Sequence, residues 1–237
     1  MILNLGLSRQ IPVEIVRTDR RKTVAFSVIE EQVRIVVPKR LSEKRIQELI
    51  QRKTPWIRRK LQIQSTIPPV RPKEYVSGES FAYMGRNYRL KVLEGSADGV
   101  KLENGQLVVR IPKNIQGKKK TDRVEKQLKH WYINHAEEKM TEKTRRYAEI
   151  VGVKPDTIAV RDYKSRWGSC SVKGEIKYNW KIIIAPNHII DYVVVHELSH
   201  MRHSNHSRDF WRYVGRVIPD YRECREWLKE NGRTLFI

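Results

Sequence analysis

Apolar residues recur along the first half of this chain in short β-branched or partly alternating runs. Residues 13–17, 23–29 and 33–37 read this way, which predicts three strands of a small antiparallel sheet ending at Pro38. Ile46, Leu49 and Ile50 then share one stripe of a helix that Ser42 can cap. Thr54-Pro55 is expected to break or restart this helix, because proline suits a first turn and not an interior. A second helical piece follows, with Trp56, Ile57 and Leu61 inward and Arg58, Arg59 and Lys60 outward. Residues 65–74 are proline-rich and read as a linker, and strands resume at 80–84, 88–93 and 107–111. The lysine-rich stretch 112–120, containing Gly117, is the best boundary, dividing a β-rich domain with a helical insert (1–116) from a second domain (117–237).

Beyond that boundary the apolar period becomes 3.6. Val124, Leu128, Trp131, Ala136, Met140, Tyr147 and Ile150 build one side of a long helix over 121–151, and Gly152 suits its closing left-handed position. Strands are expected at 157–161 and 176–185, on either side of a tight polar stretch at 165–171. A helix from Pro186-Asn187 to about Arg202 and a last one from Ser207 towards Asn231 complete an α+β chain. No internal repeat is visible.

Charge adds a partner class. The 237 residues carry 48 Lys and Arg against 27 Asp and Glu, a net charge of +21. Residues 1–120 hold 26 basic and 11 acidic side chains, residues 121–237 hold 22 and 16, so the excess sits mostly in the first half. Arg52, Lys53, Arg58, Arg59 and Lys60 suit nonspecific contact with nucleic-acid phosphates, although no sequence-reading fold is recognisable. Purely apolar stretches such as 182–185 are far too short to span a bilayer, so no membrane partner is expected. The opening residues lack the basic head and cleavage site of an export signal, and two cysteines argue against a disulfide scaffold. The expectation is a cytoplasmic protein.

The chemistry gathers in one place. Five of the seven histidines lie between residues 188 and 206, and His196-Glu197-Leu198-Ser199-His200 falls inside a predicted helix. Four residues amount to about 6 Å of rise and just over one turn, so both imidazoles leave the same face and can reach one Zn²⁺. Glu197 can then meet a metal-activated water without ligating. His203 is too far along the helix to join them and reads as a surface or supporting imidazole. His206 can join if the chain turns at Ser204-Asn205, while Glu223 or Glu226 would give a His-His-Glu site instead. His₃ donors also accept Ni²⁺, Co²⁺ or Fe²⁺. His130, His135 and His188 lack ligand spacing, and Cys170 has no readable histidine partner. Arg166, beside a Gly-Ser turn, could hold a carboxylate, a phosphate or a developing oxyanion.

The run His196-Glu197-x-x-His200 with His206 and Phe210-Trp211 resembles the YgjP-like metallopeptidases, relatives of the WLM and SprT-like zincins. Residues 165–171, 178–180, 190–195 and 219–221 fit the same pattern, and a weaker likeness reaches back to Arg20-Arg21-Lys22, Trp56-Ile57 and Gly78-Glu79. The resemblance implies a zincin-like α+β minidomain in which residues 176–185 form the edge strand that carries an extended peptide. It also implies a zinc-dependent hydrolase acting on a peptide or protein. His196, His200 and His206 would hold the metal and Glu197 would be the general base. Arg166, Trp167, Ser169, Tyr178 and Asn179 are candidate substrate contacts, although Trp167 and Trp180 also read as core aromatics. Two alternatives stay open: a metal-dependent nucleotide pyrophosphatase or phosphohydrolase, and a metal-containing, nucleic-acid-associated binding module. The absence of a Gly-rich phosphate loop weighs against the pyrophosphatase.

Overall fold

Alternation over residues 32–38 buries Val33, Ile35 and Val37 on one side of a strand, and a helix lays Ile46, Ile50, Ile57 and Leu61 against that side. The structure, a computed structural model, describes residues 2–4, 10–19, 23–29, 32–66, 72–95 and 98–237. The motif Arg20-Arg21-Lys22 and residues 67–71 of the expected linker lie outside the described residues. The chain divides into two units, Met1–Val70 and Arg71–Ile237.

The first unit holds β1 (Ile2–Asn4), β2 (Gln10–Thr18), β3 (Ala25–Ile29), β4 (Gln32–Pro38) and α1 (Glu43–Thr66). The sheet runs in the order β1-β2-β4-β3 and is mixed, because β2 and β4 pair in parallel. The expected antiparallel sheet is corrected accordingly. α1 also differs from expectation, for it passes through Pro55 without a break. Proline costs about 3 kcal/mol in a helix interior. Ile57 and Leu61, buried beyond it, each contribute about 1.5–3 kcal/mol and offset that cost. Trp56 does not face inward. It is 37% exposed.

The second unit begins with β5 (Ser80–Tyr83), β6 (Arg86–Gly95), β7 (Gly99–Glu103) and β8 (Gln106–Pro112) in the order β5-β6-β8-β7. Its pairings repeat those of the first sheet: antiparallel, parallel, antiparallel. Each sheet is followed by a long helix, so a repeat invisible in sequence exists in topology. The second helix, α2 (Gly117–Val151), starts four residues earlier than expected and ends on Gly152 at φ 69°. Phe81, Leu90, Leu107, Val109 and Ile111 share one core with Val124, Leu128 and Trp131 of α2. This continuous core removes the expected boundary at 116/117 and places the division at 70/71.

The remaining elements are β9 (Thr157–Arg161), β10 (Gly168–Cys170), β11 (Glu175–Asn179), a 3₁₀ helix (Trp180–Ile184), α3 (Asn187–Ser199), α4 (Arg208–Val217) and α5 (Tyr221–Asn231). α2 packs against β9, the 3₁₀ helix and α3, and α4 and α5 pack on α3. The strand expected over 176–185 therefore stops at Asn179. The Asn179 side chain accepts from Lys181 N and donates to the carbonyls of Tyr163 and Arg166, turning the chain at that point. Trp180, Ile182, Ile183 and Ile184 are then all buried, which a two-sided strand with one wet face would not allow. The expected last helix is two, because it is interrupted before Tyr221 by Pro219, which has no N–H to give. Ile150 is 60% exposed and leaves the expected apolar side.

Between α2 and α3 lies a buried ion pair, Lys143 Nζ to Asp191 Oδ1 at 2.6 Å. Removing one partner strands the other charge. Asp191→Ala is expected to cost about 3–5 kcal/mol, read as a lower denaturation midpoint at unchanged slope.

Candidate metal centre

α3 is apolar on most of its circumference, with Ile189, Ile190, Val193, Val194, Val195 and Leu198 buried. That packing leaves the helix little freedom to rotate and fixes where His196 and His200 point. His200 is the residue that caps α3. The chain then turns through residues 201–205 and enters α4 at Ser207, whose Oγ accepts from Phe210 N at 3.4 Å. His206 is thus held one residue before a helix cap, where the Ser204-Asn205 turn was expected to bring it.

The nearest ligand nitrogens of His196, His200 and His206 all lie within 4.8 Å of one another, and His206 Nε2 is 3.1 Å from His196 Nε2. Two nitrogens each at 2.0–2.1 Å from one tetrahedral ion are separated by about 3.4 Å, so the donor set fits a divalent ion. Neither Glu223 nor Glu226 belongs to the cluster. His200 Nδ1 lies 3.2 Å from the His203 carbonyl, which leaves Nε2 free for the centre. The backbone of His203 therefore supports the centre, while its ring packs on Tyr213. Phe210 is buried 4.6–5.0 Å from all three imidazole centroids and walls the centre from behind. Burial, reinforced by His200, His206 and Arg225, pushes the His196 pKa down to about 3, and burial also lowers that of His200. Burial thus favours the neutral form of both rings, the form a metal needs.

Glu197 points into a cleft of about 620 Å³ that His196, His200 and His206 also line. It is only 6% exposed, and burial raises its pKa to about 8 against the opposing pull of Arg166. Its carboxyl lies directly over Gly168 of β10. A Cβ at that position would sit 2.6 Å from Glu197 Cγ and Oε1. Sequence reasoning placed Gly168 in a tight turn and missed this. The only signal was a glycine between Trp167 and Ser169, which cannot reveal a partner 29 positions away.

The candidate substrate contacts separate into two groups. Arg166 and Ser169 line the cleft, and Trp167 lines a smaller adjoining cavity. Tyr178 and Asn179 are core residues: the Tyr178 hydroxyl meets Thr144 Oγ1 at 2.9 Å, and Asn179 pins the 163–166 loop. Trp180 is buried as well. The three-stranded sheet runs β10-β11-β9, so β11 is central and the edge along the cleft is β10. The expectation that 176–185 forms the edge is corrected to Gly168–Cys170. His135 packs on Trp131, His130 contacts Asn134 and His188 is exposed, all away from the centre.

The family model for the YgjP-like metallopeptidase domain matches residues 22–231. The chain belongs to the YgjP-like metallopeptidase family. Among solved structures it is similar to the metallopeptidase zymogen of Pyrococcus abyssi abylysin, at 26% identity and a TM-score of 0.35, over 38% of this chain and 93% of that one. No curated protein matches the sequence. Membership places this YgjP-like chain among metal-dependent peptidases. Among the described residues no helix is long and apolar enough to cross a membrane.

Proposed function

We propose that this chain is a zinc-dependent peptidase in which His196, His200 and His206 hold the ion and Glu197 is the general base. The observation that carries this reading is the convergence of three imidazole nitrogens within 4.8 Å beside a buried carboxyl. Zinc bound there supplies Lewis acidity to a substrate carbonyl and lowers the pKa of a water molecule towards 7. The residues of the chain do the rest. Glu197, in its ionised form, would accept a proton from the attacking water and return it to the leaving amine. The edge of β10 pairs with an extended peptide, and Arg166 faces negative charge developing in the cleft. Phe210 keeps bulk water from the back of the histidines.

The test is elemental analysis of the purified protein with casein and nucleoside triphosphates offered side by side. One zinc per chain and casein cleavage that stops on chelation support the reading. A protein that binds no divalent metal, or that hydrolyses only triphosphates, removes it.

A second reading concerns nucleic acid and rests on the first unit. Arg52, Lys53, Arg59 and Lys60 surround the exposed Trp56 on one face of α1 and make no ion pair among the described residues. We propose that this face binds nucleic-acid phosphates without reading sequence. Replacing the four cations by Gln will flatten the dependence of log affinity on log salt by about 3, from roughly 0.7–0.9 per phosphate contact. An unchanged slope in a fluorescence binding titration refutes it.

A further inference from the structure

The second unit holds a groove of about 840 Å³ between α4 and α5, larger than the cleft itself and unused by the reaction described above. Five cationic side chains line it against one acidic side chain, Glu226. Arg212 is paired with Asp209 and Lys229 with Glu226. Arg208, Arg222 and Arg225 make no ion pair among the described residues and are exposed.

The groove joins the metal centre through a column of rings. His206 stacks on Trp211 with centroids 5.5 Å apart, and Trp211 stacks on Tyr221 at 5.3 Å. Arg225 and Lys229 also line the smaller cavity of about 330 Å³ that reaches His196 and Glu197. A chain lying in the cleft can therefore continue into the groove.

Cations with aromatic rings also suit single-stranded nucleic acid, where bases stack on exposed ring faces. Here the rings are already engaged. Trp211 is covered by His206, Tyr221 and the Arg225 guanidinium, 5.0 Å from its centroid. Tyr221 packs so closely on α4 that a Cβ on Gly215 would come within 3.2 Å of it. What remains accessible is guanidinium, whose planar fork matches carboxylate oxygens.

We infer that this groove selects substrates whose chain beside the scissile bond carries Asp and Glu side chains. The inference rests on the peptidase reading and supplies its substrate class: acidic protein segments, held by Arg208, Arg222 and Arg225.

The experiment uses zinc-loaded Glu197→Gln protein, so that binding is read without turnover. It is titrated at about 0.15 M salt with three fluorescent probes: a decapeptide rich in Asp and Glu, its Asn and Gln counterpart, and an oligodeoxythymidylate of equal length. The acidic peptide will bind about tenfold more tightly than its neutral counterpart, the sum of a few exposed ion pairs. Arg208→Glu with Arg222→Glu will bring that ratio to about one, and Arg208→Lys with Arg222→Lys will retain most of it. Equal binding of the two peptides overturns the proposal. So does a preference that survives the charge reversal, or a reversal that weakens only the oligonucleotide. Turnover by the unsubstituted enzyme separates the two claims. Selective binding with neither casein nor either peptide cut leaves the groove standing and sinks the peptidase reading, whereas cleavage of both peptides at equal rates does the opposite.

Discussion

Glu197→Gln will bind one zinc per chain as tightly as the unsubstituted protein, yet cut peptides about 10²–10⁴-fold more slowly. The substitution is close to isosteric, so the packing of the side chain over Gly168 is preserved. What disappears is the capacity to hold a proton between its removal from water and its delivery to the leaving amine. Among the described residues the candidate ligand cluster is His196, His200 and His206 and does not include Glu197, so metal content is not expected to change. kcat/KM on a casein-derived peptide and zinc content by elemental analysis read the two effects separately. Activity above a tenth of the original would remove Glu197 as the base, and loss of zinc would make the carboxylate a ligand.

The features legible in sequence are those whose cause is local. His196 and His200 share a face because of helical pitch, and an apolar run holds that helix in place. His206 could be placed because Ser204 and Asn205 are poor helix formers and Ser207 starts a new helix, although α3 itself already ends at Ser199 and not near Arg202 as expected. The same locality explains Gly152, whose left-handed conformation ends α2. Features decided by distant packing were not legible. Pro55 looked like a helix breaker because nothing local shows that Ile57 and Leu61 are buried beyond it. Residues 180–184 looked like strand because Ile182, Ile183 and Ile184 form a β-branched apolar run that a buried 3₁₀ turn and a buried strand can both carry. The boundary at 116/117 looked natural because lysines and a glycine gather there, yet the β5–β8 sheet buries its inner face on α2. The repeated sheet order is carried by strand pairing and not by shared residues, so no comparison of the two halves could reveal it.

Gly168 is where that blindness matters most for catalysis, and it carries the second large effect. The residue needs no side chain because Glu197 occupies the space where one would be, 2.6 Å from an added Cβ and far inside the normal carbon contact of about 3.5–4.0 Å. Something must move in Gly168→Ala. The backbone of Glu197 is held by the buried face of α3, so the yielding parts are its carboxyl and the short strand β10. Displacing a catalytic group by about 1 Å costs on the order of 10²-fold. Gly168→Ala will therefore lose about a hundredfold in kcat/KM while keeping its zinc, since the three imidazoles do not touch β10 in this way. A double-mutant cycle identifies the cause. If the alanine acts through Glu197, it will add almost nothing once Glu197→Gln has removed the base. A further hundredfold loss in that background would instead assign the damage to the peptide-pairing edge of β10, and loss of zinc would assign it to the metal centre.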